Sequence, residues 1–185
     1  GTYDDIADAG IIIVTAGVGQ KPGESRIDLV SRNVDIYRSI MGEIRARNCG
    51  GILLIVSNPV DVLTYAAMRL SGIPEHRVIG SGTVLDTARL KQIIGERLRV
   101  DPRNVHAHIL GEHGDSELIA WSGAHVGGIS LEDFFTMRAG DIALMGDAGE
   151  EWDGDVAPLL TDSYEEFRRD IGDSVRNAAY EIIKR

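Results

Sequence analysis

The first hundred residues alternate between uninterrupted apolar runs and stretches in which apolar residues recur every three or four positions. The runs at 11–15 and 52–56 are rich in isoleucine, leucine and valine without polar alternation, which is typical of strands buried on both faces of a parallel sheet. A shorter run at 77–80 predicts a third strand. Because a segment of helical period follows each run, the pattern predicts a parallel α/β sheet.

Helix-boundary signals flank these periodic segments. Gly50 and Gly51 are expected to provide the left-handed residue that ends the first helix, and Gly72 to end the second, which spans 60–70. Thr83, with Asp86 three residues later, resembles an N-terminal capping box. The apolar positions predicted to face a core are Ile27, Val30, Val34, Tyr37, Met41 and Ile44 in the first helix and Leu85, Ala88, Leu90, Ile93, Ile94 and Leu98 in the third.

The pattern changes after residue 100. Residues 105–110 alternate apolar and polar positions, which predicts a half-buried strand, and 117–126 is compatible with a second strand. Residues 139–155 contain six acidic residues and four glycines but no lysine or arginine, and they lack the spacing of an EF-hand, so we expect a solvated surface insertion. Ser163 and Glu166 form a capping box that opens a final helix with an apolar stripe.

Composition excludes several classes of protein. The chain has 185 residues, 43% of them apolar, and a net charge of −10, which argues against a general binder of nucleic acid or anionic membranes. It contains no apolar run of the about 20 residues that a membrane span needs. The single cysteine, Cys49, excludes an intramolecular disulfide framework, and the acidic N-terminus lacks the basic region of a signal peptide, so we expect a cytoplasmic protein.

The carboxyl ends of parallel strands are where open α/β sheets bind ligands. The loop after the first strand, 15–26, has glycines that allow close backbone approach, with Gln20 and Arg26 flanking Pro22 and Gly23. It could be a mobile lid or a plain surface loop. Asn58, in the next such loop, could contact a ligand through its amide or form an Asx turn.

A histidine between two glycines marks the second half of the chain. His113 stands in Gly-Glu-His-Gly-Asp, a setting that can present the imidazole to a cavity as a general acid or base, although a polar surface turn has the same composition. Asp86 and Arg89 share a helix face. They could form an ordinary ion pair. Alternatively, Asp86 could orient His113, and Arg89 could hold a substrate carboxylate through two parallel hydrogen bonds.

A metal site is the rival interpretation of the histidines. His106 and His108 lie on one face of the predicted strand and could supply two ligands together with His113. Because spacing places no third ligand beside that pair, we expect no metal.

Several separate motifs occur in an order that resembles the lactate/malate dehydrogenase family, in particular its bacterial L-lactate dehydrogenases. They cover nearly the whole chain except the acidic segment 139–155. The motifs are VTAGVGQKPGESRIDLVSRN at 14–33, SNPVDVLTY at 57–65, IGSGTVLDTARL at 79–90, GEHGDSE at 111–117 and NAAYEIIK at 177–184.

The resemblance implies a role for each matching residue. His113 would exchange a proton with the substrate's C2 oxygen, with Asp86 as its orienting partner, and Arg89 would bind the substrate carboxylate. Arg26 would polarise the carbonyl when the lid closes, and Asn58 would donate a hydrogen bond near it. The residues implied to line the NAD groove are Thr15, Ala16, Gly17, Val56 and Asn58.

Two further positions bear on specificity and regulation. Gln20 stands where the resembling malate enzymes carry arginine, so we expect pyruvate/lactate and not a dicarboxylate. His106 matches a histidine with which some relatives bind fructose 1,6-bisphosphate, whereas Lys91 replaces the arginine of that site and loses its planar fork. An effector site and an ordinary solvated histidine both stay open for His106.

The family's N-terminal glycine-rich loop and its last catalytic-domain segment have no counterpart in this sequence. We therefore expect an internal fragment: the second half of a Rossmann-type parallel sheet at 1–80, followed by the start of an α+β catalytic domain at 81–185. The parent is expected to be a cytoplasmic homo-oligomer, a tetramer in the resembling family. A malate dehydrogenase, and a fragment that is catalytically silent by itself, are the alternatives.

Overall fold

The computed structural model describes residues 1–19, 23, 25–114, 116–146 and 163–183. It divides into two compact units, Gly1–Gly82 and Thr83–Arg185. The alternation of strand and helix predicted for the first hundred residues is confirmed, as is the α/β class.

In the first unit, the strands form a parallel sheet in the order β1–β2–β3, with Ile12 opposite Leu53 and Leu54 opposite Ile79. Helices α1 and α2 pack against each other and bury Tyr37, Met41 and Leu63 beneath the sheet. The elements are β1 (Ile11–Val14), α1 (Arg26–Ala46), β2 (Ile52–Ile55), α2 (Val60–Ser71) and β3 (Val78–Gly80).

The prediction that the first two strands are buried on both faces is wrong. Ile11 and Ile13 are 59% and 60% exposed, and Ile79 on the same face of the sheet is also exposed. Because of the strand pleat, Val14 and its alternate neighbours point toward the helices, and the intervening residues point to the opposite face of the sheet, which the described residues leave exposed. Ile27 on α1 is exposed as well, so the buried stripe of that helix begins after its first turn.

The end of α1 also differs from the prediction. Asn48, with a φ of 49°, takes the left-handed position that we assigned to Gly50 and Gly51. Asparagine tolerates this conformation better than most residues because its short amide can bond locally. Gly72, with a φ of 73°, ends α2 as predicted.

The second unit combines helices with short antiparallel strands. Strands β4, β7 and β8 form one sheet, and β5 pairs with β6 as a hairpin. Its elements are α3 (Val84–Leu98), β4 (Val105–His106), β5 (Ile109–Leu110), β6 (Leu118–Ile119), β7 (His125–Val126), β8 (Ile129–Ser130), α4 (Leu131–Gly146) and α5 (Tyr164–Ile183).

Two predictions for this unit need correction. Residues 105–110 alternate in burial as expected, but they form β4 and β5, which belong to different sheets, and not one strand. The insertion predicted from residue 139 is helical as far as Gly146, because α4 begins at a Ser130–Asp133 capping interaction and buries Leu131 and Phe135. The remainder of that segment, 147–155, lies outside the described residues.

The core of the second unit forms between α3, α5 and the short strands. Leu90 and Ile94 of α3 are fully buried with Phe167 and Ile171 of α5. The predicted capping box at the start of α5 is confirmed, since Ser163 N–H donates to the Glu166 carboxylate and the Glu166 N–H donates to Ser163 Oγ. None of the described helices is long and apolar enough to cross a membrane.

Candidate functional site

The first turn of α3 holds a buried carboxylate beside an arginine. Asp86 is 4% exposed, and Arg89, three residues later on the same helix face, places Nη1 3.6 Å from Asp86 Oδ1. A buried carboxylate without a partner is costly, so this arrangement depends on the groups around Asp86.

The β5–β6 hairpin presents His113 at its loop. The register pairs Ile109 with Ile119, and the loop between the strands contains Gly111 and Gly114, with φ values of 91° and 146°. These conformations favour glycine, which explains why glycines occupy these two positions around the histidine.

The hairpin loop and α3 bring His113 and Asp86 together. His113 Nδ1 lies 2.5 Å from Asp86 Oδ2, although the residues are 27 positions apart. Asp86 therefore has His113 at one carboxylate oxygen and Arg89 at the other. A carboxylate that accepts from Nδ1–H fixes the imidazole tautomer and stabilises its protonated form, as a general acid requires.

Two threonines at the start of α3 hold the hairpin in place. Thr83 Oγ1 donates to the Ile109 carbonyl at 2.6 Å, and the Ile109 N–H donates to Thr87 Oγ1 at 3.0 Å. Thr83 precedes the helix as predicted, but its hydroxyl is used for this contact and not for the expected cap. Sequence reasoning missed both bonds, since neither hydroxyl is marked by a local pattern.

Glu117 is a second buried carboxylate in this region. It is 8% exposed, and its Oε1 has no hydrogen-bond partner among the described residues. Burial raises the pKa of Glu117, and the nearby Asp86 charge raises it further, against the lowering effect of His113, Arg176 and Arg89. The alternation of Glu117 with Ile119 on the inner face of the hairpin was the signal that could have revealed it.

In the first unit, a buried asparagine joins the loops that follow β1 and β2. Asn33 Oδ1 accepts from the Val18 N–H at 2.8 Å, and Nδ2 donates to the carbonyls of Val18 and Asn58. Ser57 Oγ donates to the Ala16 carbonyl at 2.6 Å. The two loops are therefore fixed to each other at the carboxyl edge of the sheet.

Replacing Asn33 by alanine should destabilise the first unit by about 1–3 kcal/mol, because the Val18 N–H loses its partner beside a buried site. Urea unfolding of the variant measures this effect. Ser31→Ala, on an exposed position of the same helix, is the matched control and should leave the unfolding midpoint nearly unchanged. Equal midpoints for the two variants would contradict the inferred role of Asn33.

The predicted cofactor residues lie at this edge. Thr15, Gly17, Val56 and Asn58 are exposed, and Ala16 is half-buried. A Cβ at Gly17 would approach Asn33 Oδ1 to 3.4 Å, so the glycine also suits the packing of this loop.

The remaining predicted residues are less fully described. Gln20 lies outside the described residues, and Arg26 is the first residue of α1 with a side chain that is not described. Lys91 is half-buried on α3, and His106 is exposed on β4. Within the described part of the chain, no group of three or more histidine, cysteine, aspartate or glutamate residues could hold a metal.

Comparison with known proteins covers nearly the whole chain. Residues 1–80 match the lactate/malate dehydrogenase NAD binding domain, and residues 83–142 match the alpha/beta C-terminal domain of the same family. L-lactate dehydrogenases from Clostridium perfringens and Acetivibrio thermocellus are 45% and 46% identical over 183 and 184 residues. These matches cover 99% and 100% of this chain and 51% of each relative, so the chain spans about half the length of those relatives.

Solved structures give the same result. A lactate dehydrogenase enzyme from a Medee basin deep-sea metagenome library matches with a TM-score of 0.79 and 45% identity, covering 100% of this chain and 52% of that one. The minor L-lactate dehydrogenase from Enterococcus mundtii, in a ligands-bound form, matches with a TM-score of 0.78 and 44% identity over the same shares.

Proposed function

Because the chain belongs to the lactate/malate dehydrogenase family, we propose that it forms the central part of an NAD-dependent L-lactate dehydrogenase. The reaction is the reversible transfer of a hydride between NADH and pyruvate, which gives L-lactate. The observation that carries the proposal is the 2.5 Å contact between His113 and the buried Asp86, with Arg89 on the same carboxylate.

His113 moves the proton in this proposal. With its Nδ1–H held by Asp86, the imidazole exchanges its other proton at Nε2 with the C2 oxygen of the substrate. In reduction, the protonated ring donates to the oxygen as the hydride reaches C2, and in oxidation the neutral ring accepts that proton. Asp86 offsets the positive charge on the ring in the protonated state.

The arginines orient and polarise the substrate. Arg89 has a planar guanidinium that suits two parallel hydrogen bonds to the pyruvate carboxylate, which a lysine ammonium does not reproduce. Arg26 stabilises the negative charge that develops on the C2 oxygen, and Asn58 donates a hydrogen bond near it.

The first unit is suited to a dinucleotide. When bound, the nicotinamide cofactor would supply the hydride in reduction as NADH and accept it in oxidation as NAD⁺. The exposed loops after β1 and β2 offer backbone and small side chains at the edge where parallel sheets bind nucleotides. We assign the cofactor groove to Thr15, Ala16, Gly17, Val56 and Asn58.

The division into domains and the setting of the enzyme are part of the same proposal. Residues 1–80 belong to the dinucleotide-binding domain and 81–185 to the substrate domain. The parent enzyme is a cytoplasmic homo-oligomer, and in the resembling family that oligomer is a tetramer. If the parent has an effector site for fructose 1,6-bisphosphate, Lys91 and His106 are the residues that would contact the effector.

The preference for pyruvate over oxaloacetate tests the function. In the full-length gene product, NADH oxidation should be faster with pyruvate, because the neutral Gln20 leaves a second carboxylate without a counter-charge. Gln20→Arg should move the ratio of kcat/KM toward oxaloacetate by about 10²-fold, the size expected for one buried charge pair.

The control variant is Lys21→Arg, which introduces an arginine at the neighbouring position of the same loop without changing the charge. A wild-type enzyme that prefers oxaloacetate would instead establish a malate dehydrogenase. An enzyme that oxidises NADH with neither acid would refute the proposed function altogether.

A further inference from the structure

Glu117 occupies an unusual place for a carboxylate. It directly precedes β6 and shares the inner face of the hairpin with Ile119, which packs into the core, while Leu118 between them is exposed. Its backbone N–H donates to the Gly114 carbonyl at 3.1 Å, so Glu117 also closes the turn that directly follows His113. The side chain is therefore held where an apolar residue would be expected.

Charged groups from three elements surround this carboxylate. Asp86 and Arg89 face it from α3, His113 from the hairpin loop and Arg176 from α5. Three of these four groups, Asp86, Arg89 and His113, belong to the proposed reaction, whereas Arg176 does not. Among the described residues, no donor forms a hydrogen bond with Glu117 Oε1.

An ionised group in this position has an electrostatic effect on its neighbours. Charges held away from water interact over longer distances than exposed charges, because solvent screens them less. A negative charge on Glu117 favours the protonated ring of His113 and disfavours a second negative charge on the same cluster. Carboxylates that stay buried despite the free-energy cost of desolvating their charge are found preferentially at functional sites.

We propose that Glu117 is a positioning residue for the acid–base step, whose buried negative charge, together with Asp86, stabilises the protonated form of His113. The proposal rests on the proposed dehydrogenase function. It assigns to Glu117 no contact with substrate, and it predicts that the charge of the side chain matters more than its volume.

The test compares Glu117→Gln with Glu112→Gln in the full-length gene product. Glu112 is the exposed carboxylate of the same loop, bonded to Ser116 Oγ at 2.9 Å, and it serves as the matched control. In E117Q, the pH midpoints of pyruvate reduction and lactate oxidation should both move to lower pH, on the order of 1 unit. E112Q should keep the wild-type midpoints.

Glu117→Asp separates charge from packing. This variant keeps the carboxylate and shortens the side chain, so its midpoints should stay close to those of the wild type. Unshifted midpoints in E117Q, or an equal shift in E117D and E117Q, would overturn the proposal.

Two measurements do not depend on turnover. Burial raises the pKa of Glu117, so the folded wild type loses stability relative to E117Q as the pH rises through that titration, and the Tm advantage of E117Q should be larger at neutral than at acidic pH. A Tm difference that does not grow with pH would show that Glu117 carries no penalised charge and would overturn the proposal.

NMR titration of the His113 ring gives the second measurement and needs only wild-type protein. Besides its own protonation, the ring resonance should show a second, smaller step where Glu117 ionises, and burial moves that step to higher pH than for an exposed glutamate. A single step would contradict the electrostatic coupling between Glu117 and His113. Because the measurement uses the wild type, this holds even if E117Q does not fold. If wild-type enzyme lacks pyruvate reduction, the dehydrogenase proposal fails while this titration still tests Glu117.

Discussion

Replacing His113 by alanine should lower the rate of pyruvate reduction by about 10²–10⁴-fold, the usual contribution of a positioned general acid or base. The imidazole is the proton carrier in the proposed reaction, and its Nδ1 lies 2.5 Å from Oδ2 of Asp86. NADH binding should survive, because the predicted cofactor residues belong to the loops after β1 and β2.

Stopped-flow turnover and NADH fluorescence titration measure the two effects separately. His108→Ala is the matched control, since His108 is an exposed histidine in the same segment, and its kcat should equal that of the wild type. Retention of turnover in H113A would remove the central claim. Loss of NADH binding in the same variant would place His113 in the cofactor site instead.

Asp86→Asn leaves the side-chain volume nearly unchanged and should also reduce kcat by about 10²–10⁴-fold. The asparagine amide can donate to His113 Nδ1 and thereby favour the tautomer with hydrogen on Nε2, while the charge that stabilises the protonated ring is lost. Arg89 loses its carboxylate partner at the same time, so we also expect a higher KM for pyruvate.

Steady-state kinetics with circular dichroism as a check of folding tests this expectation. Asp101→Asn is a suitable control because Asp101 is an exposed aspartate whose pKa is lowered to about 2 by hydrogen bonds from Arg103, and it is not part of the proposed chemistry. A D86N enzyme with wild-type kcat would show that the contact with Asp86 is structural and not catalytic.

The elements of the fold followed from local signals where those signals were strong. The helices α1, α2, α3 and α5 were predicted within a few residues, because amphipathic periodicity and Ser163 or Gly72 at their ends act over one or two turns. The strands β5 and β6 were not separated from their surroundings, since two-residue strands contain too little alternation to specify a hairpin.

The wrong predictions arose where tertiary structure, and not the local pattern, decides the outcome. Exposure of Ile11 and Ile13 depends on which elements cover the second face of the sheet, and an apolar run contains no information about that. From residue 139 onward, the acidic and glycine-rich composition predicted a solvated insertion, although the helix that begins at Leu131 continues to Gly146.

The site was predictable only through the resemblance. Asp86 and Arg89 are neighbours by helix geometry, but no spacing rule joins Asp86 to His113 across 27 residues. Glu117 and Asn33 escaped notice because each is a polar residue whose importance comes from burial. For Glu117 the only sequence signal was its alternation with Ile119, and two-residue strands make such a signal weak.

The two threonine contacts to Ile109 have a consequence for local opening of the molecule. Both the N–H and the carbonyl of Ile109 are bonded to side chains of Thr83 and Thr87, which flank Asp86 at the start of α3. Fraying of that first turn would release the Ile109 amide to deuterium exchange and withdraw Asp86 from His113 in the same event. The exchange rate of one backbone amide therefore reports how often the acid–base pair comes apart in the resting protein.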